Sequence, residues 1–183
     1  MKTSLHLALI TLILPLTAWG QAGDVRFAQG DVQVQRANGS IERPVRGTKL
    51  NEGDTLITGS TGTIQITMVD QAVLAVRPNT RLKLETYRYS GTNDESDKSI
   101  LSLIRGGFRS ITGLIGKKNM SAYSVRTPTA TIGIRGTDHE PLVIPVPGPG
   151  ETPIGEPGTY DKVNSGSTVI ETSGGLLIVQ PNQ

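Results

Sequence analysis

The stretch "VRTPTATIGIRGTDHE", residues 125–140, gathers more chemistry-bearing side chains than any other part of the chain. It sets Arg126, Arg135, Gly133 and Gly136 beside an Asp138-His139-Glu140 run. Such a segment is either a catalytic or phosphate-binding loop, or a β-strand and its turn. A phosphate cradle needs glycines leading into a helix N-terminus, where free backbone N–H groups converge. Here β-branched Thr129, Thr131, Ile132 and Ile134 surround Gly133, and no helical pattern follows. On a strand, Ile132 and Ile134 share a buried face, with Thr129, Thr131, Gly133 and Arg135 on the other. The same alternation puts Asp138 and Glu140 on one side and His139 on the opposite one. A catalytic histidine needs a group holding its second ring nitrogen and a nucleophile within hydrogen-bond reach. The sequence specifies neither. The plain reading is a strand that turns at Arg135-Gly136-Thr137 and loses regular pairing at Pro141.

The neighbouring sequence follows the same period of two. Val25 and Phe27, Val32 and Val34, then Ile64, Ile66 and Met68 alternate with polar residues. Asn38-Gly39 is a tight-hairpin dipeptide, because both residues tolerate positive φ. Asp70-Gln71 and Pro78-Asn79-Thr80 punctuate strands carrying Leu74 and Val76, then Leu82 and Leu84. The run 100–116 reads as two strands meeting at Gly106-Gly107, since each glycine costs a helix about 1 kcal/mol. A glycine precedes an alternating run at residues 28–34, 104–111 and 164–171, a weak internal echo. The pattern predicts an all-β fold, an antiparallel sandwich or a solenoid-like stack of hairpins in a single domain. A hairpin turning at Gly174-Gly175 is expected to close it.

Residues 1–22 read as a secretory signal peptide. Lys2 is followed by a nearly apolar run over 5–16 and then by small residues at Ala18, Gly20 and Ala22. The apolar run contains Pro15 and falls short of the roughly 20 residues a membrane-spanning helix needs. Cleavage after Gly20 or Ala22 is therefore expected, with no later segment apolar enough to span a membrane. Removing 22 of 183 residues leaves 161, residues 23–183, enough for one domain with its own core. Losing Lys2 takes the basic count from 18 to 17 against 16 acids, a net charge near +1. That balance excludes nucleic acid as a partner. With no cysteine, the chain has no disulfide, thiolate chemistry or zinc–sulfur site, and His139 is the only histidine beyond the signal segment.

No catalytic, cofactor-binding or metal-ligating residue is assigned. Zinc sites use three or four ligands at recognisable His or Cys spacing, which is absent here. Asp94, Glu95 and Asp97 lie in a wholly polar stretch, 90–99, that reads as a hairpin tip and lacks the alternation of an EF-hand loop. Arg105, Arg109, Lys117, Lys118, Arg126 and Arg135 could form a basic face for an anionic glycan or headgroup, but near-neutral net charge favours scattered pairs. Carbohydrate binding would need exposed aromatics, and Tyr87 and Tyr89 share a strand face. Exposure of both in a groove favours a cell-wall glycan ligand; burial counts against it. The proline- and glycine-rich segment 141–158 reads as an extended loop between strands, or as a docking segment for a partner.

In their order and spacing, "GDVQV" (30–34), "LNEGDTLITG" (50–59), "IQITMVDQAVLAVRPNTRLKL" (64–84), "SLIRGGF" (102–108) and "YSVRTPTATIGIRGT" (123–137) carry a resemblance. The chain resembles the FecR-type periplasmic domain family over roughly residues 24–180. The resemblance implies an all-β domain working in the bacterial periplasm without catalysis, and no catalytic residues. In the iron-dicitrate regulators that name the family, the domain is the periplasmic part of a membrane-spanning sigma-factor regulator. This chain is expected to be a stand-alone exported form without the anti-sigma and transmembrane segments. Its expected role is a protein-binding, scaffold or signalling-accessory module of the cell envelope, partnered by another envelope protein. A cell-wall glycan is the alternative ligand.

Overall fold

A computed structural model describes residues 20–92 and 94–183. Most of the expected signal segment lies outside the described residues. The strands are β1 (Gln21–Gln29), β2 (Val32–Gln35), β3 (Ile41–Glu42), β4 (Lys49–Asn51), β5 (Thr55–Thr58), β6 (Thr63–Met68) and β7 (Val73–Val76). They continue with β8 (Arg81–Arg88), β9 (Lys98–Ile111), β10 (Tyr123–Arg126), β11 (Thr131–Ile144), β12 (Gly158–Thr172) and β13 (Gly175–Val179). One short helix, α1 (Leu114–Lys118), and a single 3-10 turn (Met120–Ala122) interrupt them. The all-β expectation holds.

All thirteen strands belong to one sheet. Its main path runs β13-β12-β11-β10-β9-β7-β6-β1-β4, and β3-β2-β5-β8 branches from β9. Only β9 and β10 run parallel. The branch exists because β9 changes partners along its length. Through Arg105 it pairs with β8 and β10; from Gly106 onward it pairs with β7 and β11.

The hand-over falls at Gly106, whose φ is +75°. A Cβ there would sit 2.4 Å from Thr80 Oγ1 and 2.6 Å from Asn79 O. Only glycine satisfies both the left-handed backbone and this approach. The two strands expected to meet at Gly106-Gly107 are therefore one bent strand. Inward side chains from both halves of the bent sheet, among them Leu56, Ile66, Leu82, Leu103, Phe108 and Ile132, form one contiguous core.

Several local expectations change. Phe27 is exposed although Val25 is buried, because a bulge between them breaks the alternation. Lys98 and Ser99 belong to β9 rather than to the polar loop. The last hairpin turns at Ser173-Gly174, with Gly175 already in β13. Strand β11 does not turn at Arg135-Gly136-Thr137. Its register with β12 shifts between Arg135 and His139, with Gly136 at φ +56°, so this segment is a bulge. Nor does pairing end at Pro141, which lies opposite Asp161 in β12. β9 has no register partner for Pro141, the kind of position where a strand tolerates a residue without an N–H.

Candidate functional site

Strand β11 carries the Asp-His-Glu run, and its alternation sorts the three side chains as the sequence suggests. His139 points inward and is completely buried. Its Nδ1 lies 3.0 and 3.1 Å from the two carboxylate oxygens of Asp161, on the neighbouring β12. The Asp161 side chain is equally sealed from solvent. On the other side of the ring, Nε2 lies 3.1 Å from the Tyr123 hydroxyl, which donates to Ser110 Oγ at 3.1 Å. The Tyr123 and His139 rings meet edge to face, with centroids 5.9 Å apart. Burial pushes the Tyr123 phenol well above its ordinary range.

The partner for the second histidine nitrogen, which the sequence does not specify, is thus Asp161. Asp161, His139, Tyr123 and Ser110 form a continuous polar chain of the kind that serves catalysis when it is open to a substrate. Here every member is buried. The network satisfies buried polar groups and ties β9, β10, β11 and β12 together.

Asp138 and Glu140 face outward and are engaged with neighbours. The Arg109 guanidinium grips Asp138 through Nε at 2.8 Å and Nη2 at 2.5 Å, and holds its carboxyl below the usual carboxylate range. Asn164 donates to Glu140 at 3.0 Å and is the main cause of that carboxyl's lowered pKa; Arg77 pairs with it as well. Arg126 likewise pairs with Glu85 at 2.6 Å, a scattered pair of the kind expected for these cations. Asp97 accepts from the Ser90 N–H at 2.6 Å and Asp94 from the Ser96 N–H at 3.0 Å, so these carboxylates hold their own loop. Among the described residues, no three His, Asp or Glu side chains are grouped to hold a metal ion.

Tyr87 is buried and donates to Asp70 at 2.5 Å. Asp70 also accepts from the N–H groups of Ala72 and Ile115, anchoring the start of α1. Tyr89 packs half-buried against the core. The exposed aromatic pair required for a glycan groove is not formed.

The loop after β11 turns aliphatic side chains to solvent. The loop 145–157 joins β11 to β12 without strand or helix, as its prolines and glycines predict. It borders a cleft of about 270 Å³ lined by Ile104, Pro128, Val143, Ile144, Pro145 and Pro157. Beside it, Val146 is 78% exposed, and Ile154 on the same loop is 84% exposed.

Comparison with known families identifies residues 54–144 as a match to the family described as FecR protein. This chain carries a FecR domain. The match runs from Asp54, just before β5, to the last residue of β11 and includes His139, Tyr123 and Ser110. Asp161 and the β12–β13 hairpin lie beyond it.

Among solved structures, the FecR domain's fold is similar to a "putative anti-sigma factor" from Parabacteroides distasonis ATCC 8503. The TM-score is 0.50, with 15% identity over 70% of this chain and 51% of that one. A second structure so described aligns at a TM-score of 0.49, with the same identity and coverage. This chain spans about half the length of those structures, and at 15% identity the likeness is one of fold. A "cell surface anchoring domain" shares 26% identity over 34% of this chain and 82% of that one, at a TM-score of 0.33. No curated protein matches the chain.

Proposed function

We propose that this FecR domain works in the bacterial periplasm as a non-enzymatic protein-binding module, and that an envelope protein docks where loop 145–157 borders the cleft. The observation supporting this reading is the exposure of Val146, which lines that aliphatic cleft, with Ile154 exposed on the same loop. Clustered exposed aliphatic side chains mark interaction sites, and a long loop on a rigid sheet is a common place for them. A cleft of this size accepts one or two apolar side chains of a partner, the usual form of an interface anchor. The titratable groups offer no competing reading, because those of the Asp-His-Glu run are occupied by internal partners. Similarity in fold to a protein described as an anti-sigma factor accords with regulation through protein contacts.

Cross-linking in intact cells, followed by capture of this protein, tests the proposal. Recovery of one stoichiometric envelope protein supports it. Recovery of glycan alone contradicts it.

A further inference from the structure

Among the described residues, the main path of the sheet ends at β13 and β4, and its branch ends at β3. Open strand edges present unpaired backbone groups, and proteins normally blunt them by shortness or charge. β3 has two residues, including Glu42, and β4 has three, including Lys49. β13 has five residues, Gly-Leu-Leu-Ile-Val, and no charged side chain occurs in 172–183. Leu176, Leu177 and Ile178 are 71%, 61% and 58% exposed, so both faces of this edge present aliphatic side chains to solvent.

The register determines which backbone groups are open. β13 pairs with β12 from Thr172↔Gly175 to Thr168↔Val179 across a two-residue turn. Hydrogen-bonded pairs alternate along an antiparallel ladder. A ladder starting at Thr172↔Gly175 aims the peptide groups of Leu177 and Val179 at β12. Those of Leu176 and Ile178 then face the open side.

From this we infer that two copies of the chain associate through β13, edge to edge and antiparallel, about a two-fold axis at Leu177. In that register Leu176 of one copy lies opposite Ile178 of the other, so outward-facing peptide groups meet outward-facing ones. All five residues of β13 overlap, aliphatic side chains face aliphatic ones on both sides of the sheet, and no like charges oppose each other. A single patch that complements itself is what a closed two-fold dimer requires. A one-residue slip would set outward peptide groups against inward ones. The occupant of this edge is therefore a second β13. The inference does not depend on the loop surface, which is formed by other residues.

The absence of cysteine makes the test clean, because any cysteine introduced is the only one. Residues opposite each other across a non-hydrogen-bonded antiparallel pair have Cα atoms about 4.5 Å apart, within disulfide range. Leu176→Cys, Leu177→Cys and Ile178→Cys would each be oxidised, and the wild-type chain weighed by sedimentation over a concentration series. A wild-type dimer is expected, with disulfide yield several-fold higher for Leu177→Cys than for its neighbours. Ile178→Pro removes an outward-facing N–H without touching the β12 ladder, and is expected to give a folded monomer. A wild-type monomer at every soluble concentration overturns the proposal. So does a dimer whose cross-linking fails to peak at Leu177, or one that Ile178→Pro leaves intact.

Discussion

His139 on β11 and Asp161 on β12 meet diagonally across the ladder, with Nδ1 3.0 Å from Oδ1, and neither side chain reaches solvent. The pair is a structural clamp. Removing one member strands the other in a medium that cannot solvate it. Asp161→Ala is expected to cost about 2–5 kcal/mol, read as a lower urea midpoint at unchanged m-value. Replacing both members should cost less than the sum of the single changes. Equal stability of Asp161→Ala and wild type would show that the pair does not hold the strands.

The bend of β9 gives a second prediction. Gly106→Ala adds a Cβ against Thr80 and the Asn79 carbonyl at positive φ. It should destabilise the fold by more than about 2 kcal/mol. Gly133→Ala, on the outward face of β11 with no atom within 4 Å of the added carbon, serves as the control. It should change stability by less than about 0.5 kcal/mol. Thermal unfolding of the two variants checks both values.

Alkaline pH should weaken the protein through its buried tyrosines. Burial, and then the Asp70 carboxylate, push Tyr87 well above the ordinary value of 10.0, and burial raises Tyr123. Above that value the unfolded chain releases protons that the folded chain retains. The tyrosine contribution is therefore complete below about pH 10 and is lost as pH rises beyond it. Denaturation midpoints measured from about pH 8 to pH 11 should fall at the alkaline end. Tyr123→Phe should flatten that fall.

The start of β1 bears on where the expected signal peptide would be cleaved. Ala22 is fully buried, and its carbonyl accepts from the Val69 N–H at 2.9 Å. Cleavage after Ala22 would remove both features, whereas cleavage after Gly20 keeps β1 whole. The mass of the exported protein should correspond to Gln21 at the N-terminus, and a Gly23 start would contradict this.

What the sequence reveals here is what a period of two can encode. The burial of Ile64, Ile66, Met68, Ile132 and Ile134, and the opposed faces of His139 and Asp138, follow directly from alternation. Relations set by cross-strand register do not. Asp161 lies 22 residues from His139, and no local pattern announces that a bulge at Arg135–Asp138 brings them together. Pro141 misleads for the same reason, because its tolerance depends on β9 having no partner opposite it. The exposure of Leu176, Leu177 and Ile178 is also invisible, since an aliphatic strand reads alike at an edge and in a core.

The outward aliphatic surface of loop 145–157 is proposed to bind an envelope protein. The most direct test places a photo-cross-linking residue at Val146 or Ile154 and irradiates intact cells. One adduct with a single envelope protein is expected, abolished by Val146→Asp with Ile154→Asp while the melting temperature stays unchanged. Absence of a protein adduct at both positions, or an adduct that survives both aspartates in the folded variant, would contradict it.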